Sequence, residues 1–262
     1  MNKVYLNASG VHRLVLDSWK ANESCCVVDG MDARATEQLK LARAYEGPPA
    51  LITWTTGTTA APKGVVIPWS AVEARCEALR GFYASIDISR TTSFFLPTHS
   101  GGLITSRLAV HYLGGNFVEP DEAEGVTFVT GTPKRIFEMV TDRLQKHPRL
   151  FERNKRTLSA MMTLHDALTQ DRRSAIQAAT RAPVYEMYGT SECGGVSIDG
   201  VTLPGYEIRS IRNRLEVKSA ANGVSYIGAQ EVFPISEDGF FRTPDEPLFS
   251  VTGKLIGVKR MQ

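Results

Sequence analysis

The stretch TTGTTAAPKG at residues 55–64 is the most informative part of this 262-residue sequence. It follows LITW at residues 51–54, a short apolar segment that predicts a buried strand. The loop combines four hydroxyl side chains, two glycines and one lysine, which suit phosphate oxygens. It is not a Walker A loop, because Lys63 follows a proline and precedes a glycine. Composition alone favours the alternative of a polar surface loop without a ligand.

The order of these residues resembles the phosphate-binding signature of the adenylate-forming superfamily, S/T-S/T-G-S/T-T-G-x-P-K-G. This superfamily comprises acyl- and aryl-CoA synthetases, luciferases and the adenylation domains of peptide synthetases. The main departure is Ala60, where the family has Gly; alanine stiffens the loop because it resists the positive φ that glycine accepts. The resemblance implies that the β- and γ-phosphates of ATP are held by Thr55, Thr56, Gly57, Thr58, Thr59 and Lys63.

A second segment, YGTSE at residues 188–192, resembles the family's Y-G-x-T-E. The resemblance implies that Tyr188 and Gly189 flank adenine and that Glu192 holds Mg²⁺. An aromatic ring can stack on a base, and a carboxylate is a magnesium ligand. Thr190 or Ser191 would contact the α-phosphate or the acyl carboxylate, although the five-residue pattern alone is also compatible with an accidental turn. The implied catalytic residues are Lys63, Thr190, Ser191 and Glu192.

Two matches near the end of the sequence complete the implied nucleotide site. GFFRTPD at residues 239–245 is similar to the family's G-W-x-x-T-G-D. This resemblance implies that Asp245 binds the ribose, because a carboxylate can accept hydrogen bonds from both ribose hydroxyls. GKL followed by Arg260 resembles G-x-L…G-R, and implies that Arg260 assists at the ribose. The sequence departs from both patterns, since Pro244 and Lys259 stand where the family has Gly.

Two weaker matches indicate the acyl pocket. LPTHSGGL resembles the family's L-P-x-x-H-x-x-G-L, which implies that His99 and Gly101 border the acyl pocket and the thiol tunnel. A packed or hydrogen-bonded histidine is an equal alternative. MMTLHDAL places His165 and Asp166 where the family commonly has a Gly-rich strand end. They either add a polar feature to substrate recognition or mark a loop that has changed without function. The pattern around His99 favours a non-amino carboxylic acid.

The resemblance implies ATP-dependent activation of a small carboxylic acid to an acyl-adenylate, with release of pyrophosphate. The implied cofactors are ATP and Mg²⁺, and CoA or a phosphopantetheine thiol is a possible acceptor. Family members carry a mobile C-terminal domain with a further lysine, which we expect to be absent here. An acyl carrier protein or a separately encoded C-terminal domain is therefore a candidate partner. The alternative functions are a non-catalytic nucleotide- or acyl-binding remnant and an interaction subunit of a multi-protein ligase.

Strand-like and helix-like segments alternate over the first two thirds of the chain, which predicts an α/β fold. The resemblance implies layered sheets with flanking helices, as in the large N-terminal domain of adenylate-forming enzymes. SAVE at residues 70–73 predicts a capping box with Ser70 as N-cap and a helix reaching about Ala84. Thr132-Pro133 predicts a further helix start, since proline suits the first helical turn.

Short alternating segments after Gly200 predict antiparallel strands, for example YEIR at residues 206–209 and LEVK at 215–218. We therefore expect two parts. Residues 1–199 would form the α/β nucleotide- and acyl-binding core. Residues 200–262 would form a small β-rich subdomain that carries the ribose-binding Asp and ends at the hinge to the missing domain.

Composition excludes several classes of protein. The hydrophobic fraction of 42% is too high for a disordered chain, and the net charge of +2 argues against nucleic-acid binding by bulk electrostatics. No apolar run is long enough to span a bilayer, and the N-terminus lacks the pattern of a signal peptide. Four cysteines without a C-x-x-C pair predict a reducing, cytoplasmic location, and Cys25 and Cys26 predict a buried strand.

Overall fold

Two large sheets with helices packed on them form the body of the molecule, which confirms the predicted α/β class of layered sheets with flanking helices. The computed structural model describes residues 2–30, 32–55, 62–141, 157–229, 232–251 and 254–260.

The first sheet has five strands in the order β1-β2-β3-β4-β13. β1, β2 and β3 are parallel, whereas β4 runs antiparallel to both β3 and β13. The buried strand predicted at the two neighbouring cysteines is confirmed as β2, and the apolar segment before the Thr/Gly loop is confirmed as β3. The strands are β1 (Lys3–Leu6), β2 (Cys25–Val28), β3 (Ala50–Trp54), β4 (Gly64–Pro68) and β13 (Ser225–Ile227).

The second sheet has six strands in the order β10-β9-β8-β7-β6-β5. β5 to β8 are parallel, and β9 and β10 extend the sheet in antiparallel fashion. The strands are β5 (Thr91–Ser93), β6 (Phe128–Gly131), β7 (Ala160–Thr163), β8 (Val184–Thr190), β9 (Gly194–Ile198) and β10 (Val201–Thr202).

The helices connect these strands. A π-helix at Gly101–Leu108 precedes one of them, and a 3-10 turn lies at Pro120–Glu122. No helix within the described ranges has the length and apolar character that crossing a membrane requires. The α-helices are α1 (Val11–Lys20), α2 (Ala33–Ala44), α3 (Trp69–Ala78), α4 (Arg80–Ala84), α5 (Ala109–Tyr112), α6 (Pro133–Val140) and α7 (Gln170–Thr180).

Two small antiparallel sheets follow in the last part of the chain, in the orders β11-β12-β14 and β15-β16. The alternating segments predicted as strands are confirmed as the antiparallel pair β11 and β12. The β-rich part also contributes β10 and β13 to the large sheets, so it is joined to them by backbone hydrogen bonds. The strands are β11 (Glu207–Ile211), β12 (Arg214–Lys218), β14 (Phe241–Arg242), β15 (Asp245–Phe249) and β16 (Leu255–Arg260).

One predicted helix start is wrong and another is confirmed. α3 begins at Trp69, and the residue before it is Pro68 in an extended conformation, so Ser70 lies inside the helix and makes no capping hydrogen bond. The proline fixes the backbone at the strand-to-helix corner, and this outweighs the local Ser–Glu pattern. α6 begins as predicted, with Thr132 as N-cap accepting from the Arg135 N–H at 3.2 Å.

Candidate nucleotide-binding site

The Thr/Gly loop connects two antiparallel strands of the first sheet. Trp54 at the end of β3 lies opposite Gly64 at the start of β4. The Thr55 N–H donates to the Lys63 carbonyl at 3.0 Å, which holds the two ends of the loop together. Four of the predicted phosphate ligands lie outside the described residues, namely Thr56, Gly57, Thr58 and Thr59.

A tyrosine brings the loop lysine and the predicted metal carboxylate together. Lys63 Nζ lies 4.3 Å from the centroid of the Tyr226 ring, a cation–π distance. The Tyr226 hydroxyl donates to Glu192 Oε1 at 2.8 Å. Sequence reasoning missed Tyr226, because a single aromatic in a short alternating strand has the same pattern as an ordinary packing residue.

A buried arginine holds the turn that carries Glu192. Arg75 on α3 is 3% exposed. Its guanidinium donates to the carbonyl oxygens of Ser191 at 3.2 Å and of Glu192 at 2.7 Å. It also donates to the Ala221 carbonyl at 2.8 Å and to the Ser100 hydroxyl at 3.1 Å. Burial lowers the pKa of Arg75 below its ordinary value. One side chain therefore links three segments of the site. Arg75 belongs to no motif in the sequence, so the sequence does not predict this role.

The turn between β8 and β9 is tight. The Thr190 Oγ1 accepts from the Cys193 N–H at 3.1 Å. A side chain at Gly189 would collide with the Gly194 carbonyl on the facing strand, so this position requires glycine because the two backbones approach closely. The predicted residues 190–192 are thus presented on a turn whose backbone is fixed by hydrogen bonds and close packing.

The predicted adenine and ribose residues contact each other. The Tyr188 hydroxyl donates to Asp245 Oδ2 at 2.8 Å, and Asp245 is 4% exposed. Burial and then the nearby carboxylate raise the pKa of Tyr188 far above its ordinary value, so this hydroxyl remains protonated and donates. Arg260 pairs with Asp245 through the backbone of the β15–β16 hairpin, and its side chain lies outside the described residues.

Three of the four predicted acyl-pocket residues also lie close together. The His99 Nδ1 lies 2.9 Å from the Trp54 carbonyl, which can only accept, so this nitrogen carries the proton and Nε2 of the neutral ring is an acceptor. The His165 imidazole packs against Gly101 and lies 4.9 Å from the ring of Phe95. His165 is exposed as a whole residue, but desolvation of its ring beside Gly101 and Phe95, and then the neighbouring His99, lower its pKa. Asp166, the fourth, is exposed.

An open cavity of about 600 Å³ borders this group of residues, since its lining includes Phe95, the ring against which His165 packs. It is lined by the residues that follow β1 and β5 and by the 3-10 turn, and includes Phe95, Arg107 and Glu119. The Arg107 guanidinium is buried over the ring of Phe117 at 4.5 Å and faces Glu119 at 3.7 Å. The predicted residues His99, Gly101, His165 and Asp166 do not line this cavity.

The donor set suits magnesium better than a metal that requires a protein cage. Within the described ranges, no group of three or more His, Cys, Asp or Glu side chains could hold a metal ion. Mg²⁺ commonly binds one or two carboxylates together with substrate phosphates and water. Glu192, half-buried and hydrogen-bonded through one oxygen, fits that pattern.

Comparison with solved structures identifies similar folds. A malonyl-CoA ligase in a ternary product complex with methylmalonyl-CoA and AMP superposes with a TM-score of 0.73 at 20% identity, covering 98% of this chain and 72% of the ligase. VinN gives a TM-score of 0.76 at 17% identity, with coverages of 97% and 85%. E. coli MenE with bound OSB-AMS gives 0.74 at 16% identity, with coverages of 99% and 67%. At these identities the likeness concerns the fold.

Comparison of sequences identifies the family. No curated protein matches the chain. The family model described as AMP-binding enzyme matches residues 6–220, which is most of the sequence and includes both the Thr/Gly loop and the YGTSE turn. The chain therefore belongs to the AMP-binding enzyme family, whose members are adenylate-forming enzymes.

Proposed function

We propose that this chain uses ATP and Mg²⁺ to convert a carboxylic acid to its acyl-adenylate. The observation that carries the proposal is the convergence of three distant segments. Lys63 lies over the ring of Tyr226 and Glu192 accepts from its hydroxyl, while Asp245 contacts the tyrosine that begins the YGTSE turn. Membership of the adenylate-forming family supports the reaction class.

The proposed reaction is a displacement at phosphorus. An oxygen of the substrate carboxylate forms a bond to the α-phosphorus, and the bond from that phosphorus to the bridging oxygen of the β-phosphate breaks. Pyrophosphate leaves with that oxygen. The protein contributes mainly positioning and charge stabilisation, since the reaction needs little covalent help from side chains.

The roles of the residues follow from their chemistry. Lys63 would stabilise the negative charge that accumulates on the leaving pyrophosphate. Glu192 would hold Mg²⁺, which when bound offsets charge on the triphosphate. Thr190 and Ser191 directly precede Glu192 in the turn, and their hydroxyls would orient the α-phosphate or the substrate carboxylate. Their turn is held by hydrogen bonds from Arg75, so these groups keep their orientation before substrate binds.

The nucleoside would be held at the other end of the site. Tyr188 and Gly189 would flank adenine. Asp245 would accept hydrogen bonds from the ribose hydroxyls, and Arg260 would also help to fix the ribose. Asp245 has further acceptor capacity beyond the bond from Tyr188, because a carboxylate offers about four lone-pair sites.

The substrate side is proposed to include His99, Gly101, His165 and Asp166. The fixed tautomer of His99 leaves Nε2 as an acceptor towards a ligand. We favour a non-amino carboxylic acid, with transfer to CoA or a phosphopantetheine thiol as a second step. That step would require a C-terminal domain or a carrier protein as partner.

Exchange of labelled pyrophosphate into ATP, measured over a panel of carboxylic acids, tests the proposal. At least one acid should support exchange. Glu192→Ala should reduce the rate by about 100-fold or more, the usual effect of removing a key group that stabilises charge. Glu207→Ala, an exposed carboxylate on β11, is the matched control and should leave exchange unchanged. Circular dichroism checks that both variants fold.

A second candidate, nucleotide or acyl binding without catalysis, is favoured by Ala60 and Lys259, which depart from the family's signatures at positions where the family has Gly. The same experiment separates the two candidates. ATP binding without exchange for any acid would contradict adenylation and support the binding function.

A further inference from the structure

Tyr226 lies in the middle of β13, the strand that the β-rich part of the chain adds to the first sheet. Its register partner on β4 is Val65, two residues beyond Lys63. Since β4 begins directly after the Thr/Gly loop, this point of β13 lies beside the exit of the loop. Sheet pairing therefore fixes the backbone of Tyr226 next to the predicted phosphate site.

The ring of Tyr226 is anchored on its apolar side. Its centroid lies 4.8 Å from that of Phe233, and Phe233 lies 5.0 Å from Phe241, which is 1% exposed. Tilted aromatic contacts at these distances are favourable beyond the area that they bury. The orientation of the tyrosine is therefore coupled to the hydrophobic core.

The polar contacts of Tyr226 suit a nucleotide with a divalent cation. Its hydroxyl donates to Glu192 Oε1 at 2.8 Å, which uses one acceptor site of the carboxylate and leaves others for a cation. Its ring face attracts the Lys63 ammonium at 4.3 Å without bringing a negative charge to it. The contact with Tyr226 therefore holds the lysine in place while preserving its net charge for a phosphate.

We infer that Tyr226 is a positioning residue for ATP and Mg²⁺. It fixes the carboxylate of Glu192 and the ammonium of Lys63 relative to one another, through its hydroxyl and its ring face. The inference rests on the proposed function and deepens it. The hydroxyl orients the carboxylate that would hold Mg²⁺, so it affects how much Mg²⁺ is needed. The ring positions Lys63, so it affects the affinity for the nucleotide.

The test is a titration of Mg²⁺ against binding of a fluorescent ATP analogue to the full chain. Tyr226→Phe keeps the ring and removes the hydroxyl. We expect it to raise the Mg²⁺ concentration for half-maximal binding roughly tenfold, the effect of losing one hydrogen bond to a charged group. Its affinity without Mg²⁺ should stay unchanged. Tyr226→Leu also removes the ring face, and should weaken binding without Mg²⁺ as well.

Tyr206→Phe is the matched control. The Tyr206 hydroxyl donates to the Cys193 carbonyl at 2.8 Å, in the same turn as Glu192. This variant also loses a tyrosine hydrogen bond, but one that ends on the backbone. It should lower the unfolding temperature and leave the Mg²⁺ requirement unchanged.

Three results would overturn the inference. An equal Mg²⁺ requirement in wild type and Tyr226→Phe would overturn it and leave the proposed function standing. An equal rise in Tyr206→Phe would assign the effect to general loosening of the turn. A folded wild-type chain that binds no nucleotide would overturn the proposed function, and the inference with it.

Discussion

Two carboxylates of the candidate site each accept a hydrogen bond from a tyrosine hydroxyl at 2.8 Å, but their surroundings differ. Asp245 is buried, and the pKa of its partner Tyr188 is raised strongly. Glu192 is only half-buried, and the ring of its partner Tyr226 also carries Lys63. The same bond contributes more to stability where water is excluded, because an unmet buried acceptor cannot be rehydrated. We therefore expect the bond to Asp245 to contribute more to stability than the bond to Glu192, whereas Glu192 is the more accessible of the two carboxylates.

The largest expected effect comes from removing Arg75, which supports the turn that carries Glu192. Arg75→Met would remove the guanidinium donors from the carbonyl oxygens of Ala221, Ser191 and Glu192, and would loosen the turn that carries Glu192. We expect a loss of about 3–5 kcal/mol in the free energy of unfolding, measured by urea denaturation. Arg80→Met is the control, since the exposed and solvent-screened Arg80–Glu77 pair should contribute little to stability. Similar losses in the two variants would contradict the role assigned to Arg75.

A third charged contact, between His12 and Glu119, lacks a bridging hydroxyl, and the pKa of its histidine is lowered. His12 Nδ1 lies 4.0 Å from Glu119 Oε1, too far for a hydrogen bond, and burial followed by the charge of Arg107 lowers the pKa of His12 to about 4. Between this value and the ordinary 6.5, the unfolded chain binds more protons than the folded chain. Titration of His12 therefore leaves the free energy of unfolding unchanged above pH 6.5. It lowers that free energy by about 2–3 kcal/mol as the pH drops towards 4.

Unfolding free energies measured at pH 7 and at pH 4.5 check this expectation. His12→Phe removes the titrating group and keeps a buried ring beside Phe117. The difference between the two pH values should shrink in this variant. A difference of the same size in wild type and His12→Phe would assign the acid sensitivity to other groups.

The smallest expected effect tests the two tyrosines directly. Tyr188→Phe removes a donor from the buried Asp245 and should cost about 1–2 kcal/mol of unfolding free energy, whereas Tyr226→Phe should cost less than about 1 kcal/mol. Thermal and urea unfolding of the two single variants, side by side, give the comparison. Equal costs would show that the two ends of the site do not differ as their burial indicates.

Local sequence patterns predict the family and much of the fold. The Thr/Gly loop, the YGTSE turn and the Asp near residue 245 predict the family, and family and fold are confirmed. Alternation predicts β11 and β12, but the structure does not give each strand one buried face: β11 has no buried residue, and Leu215, Glu216 and Val217 of β12 are all buried. The prediction of Ser70 as N-cap is wrong because Pro68 determines the corner that precedes it. The roles of the site residues stay predictions.

The contacts that organise the site could not be predicted in the same way. Arg75 and Tyr226 contact the YGTSE turn from elements that are distant in sequence, and neither stands in a recognisable motif. Their importance depends on burial and on sheet order, which are properties of the assembled fold. A single sequence without an alignment carries no signal for either.

The pairing of β13 with β4 has a consequence for how the chain folds. β4 is an apolar strand near the start of the sequence, and its outer neighbour is supplied only when residues 225–227 arrive. Contacts of such long sequence separation form slowly, because a large loop must close first. Until then GVVIP is an unpaired sheet edge, a template for pairing with other chains. During synthesis β4 is therefore an exposed edge that is prone to aggregation until β13 pairs with it, and the same pairing brings Tyr226 beside Lys63.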